Sequence, residues 1–114
     1  MARTPPLGWF PHRGEVYLVR LGKDRPALVI SADALNRYAL GVCVVPITSV
    51  KRAKFSLRVP LTPPEGGLGR PSWAKCDQVT TLEKTVFVYP PLGRLTDRTL
   101  QAIEQSIKLA LQLP

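Results

Sequence analysis

The side chains of this sequence that could take part in catalysis are hydroxyls, guanidinium groups and isolated acids. Its one histidine, His12, lies near the N-terminus, and no paired carboxylates share a predicted helix or strand face. The cysteines Cys43 and Cys76 lie in apolar runs without a second cysteine or histidine nearby, so we expect two reduced, buried thiols. No P-loop, Rossmann glycine pattern or Ser-His pairing is visible. The sequence therefore indicates no cofactor or metal site and excludes a histidine acid/base pair within one subunit.

The net charge points to an anionic partner. The chain of 114 residues carries 16 lysines and arginines against 8 acidic residues, a formal charge of +8. Such a balance is typical of proteins that bind nucleic acid, although a basic protein whose lysines only face water remains the alternative. Between residues 49 and 76 the only acid is Glu65. The basic residues of that stretch are Lys51, Arg52, Lys54, Arg58, Arg70 and Lys75.

Short strands dominate the predicted secondary structure. Residues 15–21 and 25–31 are rich in β-branched and aromatic side chains, and residues 22–24 supply a turn between them, which predicts a tight hairpin. Pro26 cannot donate a ladder hydrogen bond, so it belongs at a strand start or an edge. Arg25 is therefore expected at the mouth of the second strand.

The middle of the chain continues this pattern. Ser31 is expected to cap a one-turn helix, and residues 40–47 form an apolar run typical of a doubly buried central strand. Residues 55–61 alternate as a strand with one wet face. Residues 62–71, rich in proline and glycine, are expected to form a surface loop.

The C-terminal third ends in a helix. Residues 72–79 alternate, with Ala74 and Cys76 on one face, and two further strand segments are separated by Pro90 and Pro91. Thr96 is a good N-cap for an amphipathic helix. Its apolar stripe is Leu100, Ile103, Ile107 and Leu111. Many short strands closed by one helix favour a mainly β fold, a small barrel, with a loose arm over residues 1–13 and one domain over residues 14–114.

Five segments in order resemble the MazF/PemK-like toxins. They are Gly14-Glu-Val-Tyr, Arg25-Pro-Ala-Leu-Val-Ile-Ser followed by Asn36, Val45-Pro-Ile-Thr-Ser49, Cys76-Asp-Gln-Val-Thr-Thr-Leu82 and Gly93-Arg-Leu-Thr-Asp-Arg-Thr-Leu100. Each segment alone is weak, but five with compatible spacing are specific. The resemblance implies an SH3-like small β-barrel of the CcdB/MazF/Kid type.

The resemblance also implies a function. Such toxins are metal-independent endoribonucleases that cut single-stranded RNA at short sequences through attack by its 2′-hydroxyl, which leaves a 2′,3′-cyclic phosphate and a 5′-hydroxyl. By position, Arg25 matches the family's catalytic arginine and Thr48 its catalytic threonine. Lys75 and Asp77 match an arginine and an aspartate that take part in cleavage in the PemK-like branch. Because lysine lacks the bidentate fork of arginine, phosphate attraction is the role expected of Lys75.

Further residues are candidates for contacts with RNA. Asp77 has two equal interpretations, a catalytic acid or a side chain that holds a turn at Thr80 and Thr81. The expected RNA-binding residues, for which a solvated charge run is the alternative, are Asp24, Asn36, Ser49, Lys51, Arg52, Lys54, Lys75 and Gln78. The connection at residues 22–24 is shorter than the corresponding loop of most proteins of the resembled family. In those proteins the loop often gates the active site.

Partners and location follow from the same resemblance. We expect a cytoplasmic homodimer, no membrane span, and a MazE-like antitoxin whose inhibitory segment is acidic, with DNA bound by the complex. Two other functions stay open. One is a non-catalytic nucleic-acid-binding module of SH3-like fold, and the other is a CcdB-like toxin that targets gyrase.

Overall fold

Seven strands and two helices make up the part of the chain that the computed structural model describes, residues 2–50 and 57–114. The strands are β1 (Glu15–Leu21), β2 (Lys23–Val29), β3 (Gly41–Thr48), β4 (Arg58–Leu61), β5 (Ser72–Lys75), β6 (Thr80–Glu83) and β7 (Phe87–Arg94). The helices are α1 (Asp33–Tyr38) and α2 (Asp97–Leu111).

The strands form one antiparallel sheet in the order β4-β5-β3-β2-β1-β7, with β6 also paired to β3. The strand β3 therefore has β2 on one side and both β5 and β6 on the other. The predicted mainly β, barrel-like fold with a C-terminal helix is confirmed. The barrel is open, since β4 and β7 do not pair with each other within the described residues.

The predicted hairpin of β1 and β2 is confirmed. Leu21 pairs with Lys23, so the connection is Gly22 alone, and its φ of +83° is a conformation that glycine adopts without strain. This tight turn makes Lys23, Asp24 and Arg25 part of β2 rather than of a loop. Arg25 pairs with Val19.

The helix α1 begins without the predicted serine cap. Its N-cap is Ala32, and Ser31 instead lies in the interior. There the Ser31 hydroxyl donates to Asn36 Oδ1 at 2.5 Å and accepts from the Cys43 amide at 3.0 Å. The side-chain amide of Asn36 donates through Nδ2 to the Ser31 carbonyl at 3.0 Å. Ser31 and Asn36 therefore fasten α1 to β3.

Two strand predictions near the C-terminus are wrong in extent. The alternation over residues 72–79 ends as a strand at Lys75, and the expected turn at Thr80 and Thr81 is the start of β6, which pairs with Val44 and Cys43. Threonine is a strong strand former, and the neighbouring edge of β3 was open to it. The strand β7 also continues through Pro90 and Pro91. It tolerates them because it is the last strand of the sheet order, with β1 as its neighbouring strand and an isolated bridge from Arg3 to Tyr89 among the described residues.

The segment of residues 62–71 lies largely at the surface, as predicted, but part of it is packed against the domain. It contains a short 3₁₀ turn, Glu65–Gly67, and Gly66 and Leu68 are buried. Glu65 accepts hydrogen bonds from the Thr96 amide and hydroxyl, both at 3.0 Å. Burial works to raise the pKa of the Glu65 carboxyl, but these hydrogen bonds outweigh it and lower that pKa. The segment is therefore fastened to the start of α2.

The helix α2 covers one face of the sheet. The Thr96 hydroxyl accepts from the Thr99 amide at 3.3 Å, which confirms the predicted N-cap. Leu100 and Ile103 are buried in the main core, and Ile107 packs against it. Leu111 is 55% exposed, so the buried stripe ends before the last residue predicted for it. Beneath the helix this core is built from Val16, Leu28, Val45, Ile47, Leu61, Leu68, Ala74, Cys76 and Leu95.

The N-terminal arm, defined as residues 1–13, contacts the domain at several points, while residues 2–8 are exposed. The Arg3 amide donates to the Tyr89 carbonyl at 2.8 Å, and Pro11 is fully buried. Trp9 packs on a second core. That core contains Tyr17, Val19, Ala27, Val29, Val42, Val44 and Phe87. The aromatic content of the arm explains this packing, since Trp9 and Phe10 gain by leaving water.

The helices of the described chain are too short or too polar for a membrane crossing.

A test of the packed segment uses two glycines that lie two residues apart. Gly67 has a φ of +71°, and a Cβ atom there would lie 1.9 Å from the Leu92 carbonyl oxygen, whereas a Cβ at Gly69 would meet nothing within 4 Å. We expect Gly67→Ala to lower the free energy of unfolding by about 2–4 kcal/mol. Gly69→Ala should change it by less than about 0.5 kcal/mol. Urea unfolding of both variants measures the difference, and equal values would contradict the packed segment.

The Ser31 and Asn36 network gives a second test. Asn36→Ala removes the acceptor of the buried Ser31 hydroxyl and the side-chain donor to the Ser31 carbonyl, so the free energy of unfolding should fall by about 1–3 kcal/mol. Arg37→Ala, at the adjacent exposed position of α1, is the control and should be nearly neutral. Thermal unfolding followed by circular dichroism compares the two. An Asn36→Ala protein as stable as wild type would show that the network contributes nothing.

Candidate RNA-cleavage site

A cleft of about 850 Å³ lies beside the ends of β1, β2 and β3. The segment of residues 67–72 forms its other wall. Its volume lies within the range of ordinary ligand sites. Below it is called the main cleft. Its polar and charged lining residues are Lys23, Asp24, Arg25, Thr48, Ser49, Arg70, Ser72, Lys75 and Thr80.

Arg25 and Thr48 enter the main cleft from facing strands. The pairing of β2 with β3 ends at Ala27 and Pro46, and Arg25 and Thr48 each lie two residues beyond this pair on their own strand. Since residues two apart on a strand point to the same face, both side chains follow Ala27 and Pro46 into the cleft. The two residues singled out as catalytic candidates are thus brought together.

The Thr48 hydroxyl is oriented by the backbone. Its Oγ1 accepts a hydrogen bond from the Val50 amide at 3.1 Å. A threonine hydroxyl has one donor proton, and an accepted bond of this kind leaves that proton free to point elsewhere. Thr48 can therefore donate to an oxygen placed in the cleft, and Ser49 beside it is exposed.

Lys75 and Arg70 complete the basic lining. The pairing of β3 with β5 matches Thr48 to Trp73, so Lys75, two residues further on, belongs to the same face. Arg70 is placed by the packed segment, where its carbonyl accepts from the Ser72 hydroxyl at 3.0 Å. Each side chain thus comes from an element that the core or a hydrogen bond holds in place.

The main cleft has an uncompensated positive charge. Lys23, Arg25, Arg70 and Lys75 line it together with one carboxylate, that of Asp24. The ion pairs formed between described residues are His12 with Glu15 and Arg13 with Glu104, and neither involves the cleft. Four cations against one acid create a potential that attracts phosphate.

Three of the predicted site residues lie elsewhere. Asn36 is fully buried and bonded to Ser31, so its predicted contact with RNA is wrong, because an interior side chain cannot reach a ligand. Asp77 and Gln78 follow β5 in an exposed turn and do not line the main cleft. Both interpretations of Asp77, a catalytic acid and a side chain that holds a turn, stay predictions. The predicted positions Lys51, Arg52 and Lys54 lie outside the described residues.

Lys23 and Thr80 line the main cleft but were missed in the sequence. Lys23 looked like a turn residue because the hairpin was expected to need residues 22–24, while Gly22 alone makes the turn. Thr80 looked like part of a turn until β6 paired it with Val44. For Thr80, the available signal was the β-propensity of Thr80 and Thr81. For Lys23, it was the position of a basic residue close to Arg25 in the sequence.

The two cysteines are free thiols. Burial, partly offset by hydrogen bonds, raises the pKa of the Cys76 thiol, which lies in the core and is not a nucleophile. Cys43 is only half-buried, contrary to prediction, and its Sγ lies 3.5 Å from Thr81 Oγ1. Clusters of histidine, cysteine and carboxylate able to hold a metal ion do not occur among residues 2–50 and 57–114.

Comparison with known proteins places the chain in a family. Residues 12–111 match the model of the PemK-like, MazF-like toxins of type II toxin-antitoxin systems. Endoribonuclease MazF9 of Mycobacterium tuberculosis is 31% identical, over 89% of this chain and 96% of that protein. A mycobacterial endoribonuclease solved in complex with its cognate antitoxin superposes with a TM-score of 0.80 at 31% identity, over 91% of this chain and 97% of the other. A second mycobacterial endoribonuclease gives a TM-score of 0.81 at 29% identity, over 96% and 98% of the two chains. The chain therefore belongs to the PemK-like, MazF-like toxin family of type II toxin-antitoxin systems.

Proposed function

We propose that this protein is an endoribonuclease toxin that cuts single-stranded RNA in the main cleft without a metal ion. The observation that carries the proposal is the convergence of Arg25 and Thr48, from facing strands, in a cleft with four cations and one carboxylate. The relatives described above are named as endoribonucleases. One carboxylate is a poor donor set for a catalytic divalent cation, whereas the same lining suits a phosphodiester.

The reaction uses a nucleophile that RNA itself carries. The 2′-oxygen of the ribose attacks the adjacent phosphorus and loses its proton, and the bond from phosphorus to the 5′-oxygen of the next nucleotide breaks. The leaving 5′-oxygen takes up a proton. The products are a 2′,3′-cyclic phosphate and a 5′-hydroxyl, and no external water is consumed in this step. DNA lacks the 2′-hydroxyl and is therefore not cut.

The site's contribution is electrostatic and positional. As the phosphorus gains a fifth oxygen neighbour, negative charge grows on its non-bridging oxygens, and the fork of Arg25 can hold two of them. The free proton of the Thr48 hydroxyl can bond to the same group. Asp24, next to Arg25 in β2, is the lining carboxylate available to move the proton. Lys75 and Arg70 attract the flanking phosphates.

The proposed partners follow from the same charge. A mycobacterial relative was solved with its cognate antitoxin, and we infer an antitoxin for this chain whose inhibitory segment is acidic and lies along the basic main cleft. A homodimer remains part of the proposal, and Leu109, Leu111 and Leu113 are exposed apolar residues available to an interface. The cytoplasm is the proposed site of action because the messenger RNA substrate is there.

Replacement of Arg25 tests the nuclease directly. Arg25→Ala removes the guanidinium fork, so the cleavage rate should fall by about 10²–10³-fold. Arg25→Lys should recover only part of it, since lysine keeps the charge and loses the bidentate geometry. Cleavage of a long single-stranded RNA in the presence of EDTA, with cut ends mapped by primer extension, measures the rates.

The control for Arg25 is Arg98→Ala, an exposed arginine of α2 outside the main cleft, which makes the same change in net charge. It should cut as fast as wild type. RNA bound but left intact by the wild type would favour a non-catalytic binding module. Intact RNA together with damaged DNA topology would favour a gyrase-directed toxin. Either result would overturn the proposal.

Arg70 gives a separate test of the phosphate-binding role. Each phosphate contact with single-stranded RNA contributes about −0.7 to the slope of log K against log salt. Arg70→Ala should therefore weaken binding of different RNA sequences by similar factors and make the slope shallower by about 0.7. Fluorescence anisotropy between 50 and 300 mM salt, in the Arg25→Ala background to prevent cutting, measures it. A slope equal to that of Arg98→Ala would place Arg70 outside the RNA path.

A further inference from the structure

A second cavity lies between the N-terminal arm and the start of β7. It encloses about 380 Å³, within the range of small-ligand sites. It is lined by Ala2, Arg3, Pro5, Trp9, Arg20, Lys84, Thr85, Phe87 and Tyr89. The match to the family model begins only at residue 12, so the arm residues that close this cavity lie outside the matched region. We call it the arm cavity.

The arm cavity is positively charged. Its lining contains Arg3, Arg20 and Lys84 and no carboxylate. The Arg20 guanidinium donates to the Thr85 carbonyl at 3.2 Å, and Lys84 Nζ donates to the Arg37 carbonyl at 3.2 Å. These neutral carbonyls orient the two cations without neutralising them. The cavity therefore favours an anionic group.

The arm cavity also has aromatic walls, formed by Trp9, Phe87 and Tyr89. Trp9 lies edge-to-face with Tyr17 and with Tyr89, each at 6.0 Å between ring centroids. The guanidinium of Arg3 lies 5.9 Å from the centroid of the Tyr89 ring. Aromatic rings beside guanidinium groups are the combination on which unpaired bases stack while their phosphates are held.

A partly buried hydrogen-bond chain holds Trp9 in place. Trp9 Nε1 donates to the Tyr17 hydroxyl at 3.2 Å, and that hydroxyl donates to Glu15 Oε1 at 2.8 Å. Burial, assisted by the neighbouring Glu15, raises the pKa of the Tyr17 phenol, so it stays protonated and keeps donating. The His12 amide donates to the same Glu15 oxygen at 2.7 Å. The aromatic wall is thus positioned before any ligand enters.

The strand β1 separates the arm cavity from the main cleft. Val19 and Leu21 line the main cleft, and Arg20 between them lines the arm cavity, so the two sites lie on opposite faces of this strand. These three residues lie next to the end of the hairpin at Gly22. An RNA strand that passes round this end can therefore contact both sites.

We propose that the arm cavity is a subsite for one nucleotide of single-stranded RNA, with its base against the aromatic wall and its phosphate beside Arg20 and Lys84. This subsite depends on the proposed function in one respect: the RNA strand bound in the arm cavity is the same strand that is cut in the main cleft. The arm residues that line the cavity, which the family model does not cover, thereby add a contact to RNA outside the cleavage site.

Binding of adenosine 5′-monophosphate tests the subsite by itself. In a Trp73→Phe protein Trp9 is the remaining tryptophan, so quenching of its fluorescence reports a ligand in the arm cavity. Arg20→Ala and Lys84→Ala should each weaken binding by about tenfold, through loss of one charge-assisted contact. Arg98→Ala carries the same charge change outside the cavity and should bind as wild type. Circular dichroism confirms that each variant is folded.

Three results would overturn the subsite. One is the absence of quenching, and another is an equal effect of Arg20→Ala and Arg98→Ala. The third is full competition by inorganic phosphate together with no binding of adenosine, which would leave a simple anion site.

Cleavage kinetics test the connection to the cut strand. Two RNAs are compared, one barely longer than the cut site and one extended by several nucleotides on both sides. The wild type should have a lower KM for the longer RNA, and Arg20→Ala should abolish that difference while kcat on the short RNA is unchanged. Equal KM values in the wild type would overturn the connection. If the wild type cuts neither RNA, the proposed function fails, and the nucleotide-binding assay still decides the subsite.

Discussion

The antiparallel register between β2 and β3 is the constraint on which the main cleft depends. It matches Ala27 to Pro46, and Arg25 and Thr48, each two residues beyond this pair, both line the main cleft. A shift by one residue would turn both side chains toward the opposite face of the sheet, where Leu28, Val45 and Ile47 are buried. The same apolar residues that stabilise the core therefore keep the register that presents the reactive groups. The core and the site cannot be changed independently along these two strands.

The charge of the main cleft works against the folded state and in favour of its ligands. Four cations face one carboxylate, and repulsion among them is relieved when phosphate or an acidic peptide enters. Water and salt screen part of this repulsion, since Lys23 and Arg25 are exposed. An inhibitor that competes with RNA needs only to supply acidic groups in an extended arrangement. Substrate and antitoxin would then be attracted by one electrostatic field.

Local patterns predicted the elements that position the catalytic candidates, and distant contacts determined the rest. The hairpin, β3 and the Thr96 cap could be predicted because β-propensity, turn chemistry and capping act over a few residues. Local patterns could not predict β6 or the burial of Asn36, because both depend on which distant segments pack beside β3. The segment of residues 62–71 looked irregular because its anchor, Glu65 with Thr96, joins positions 31 residues apart. Of the candidates named from the sequence, Arg25, Thr48 and Lys75 lie in the cleft, whereas Asn36, Asp77 and Gln78 do not.

The one-residue hairpin turn explains how a site without histidine can still be organised for catalysis. Because Gly22 alone reverses the chain, Lys23, Asp24 and Arg25 are paired along β1 with Leu21, Arg20 and Val19. Their backbone is fixed by strand pairing, so little ordering is needed when substrate binds, and electrostatic stabilisation depends on such preorganisation. Asp24 and Arg25 are thus built into the strand, and the segment of residues 67–72 forms the other wall of the main cleft.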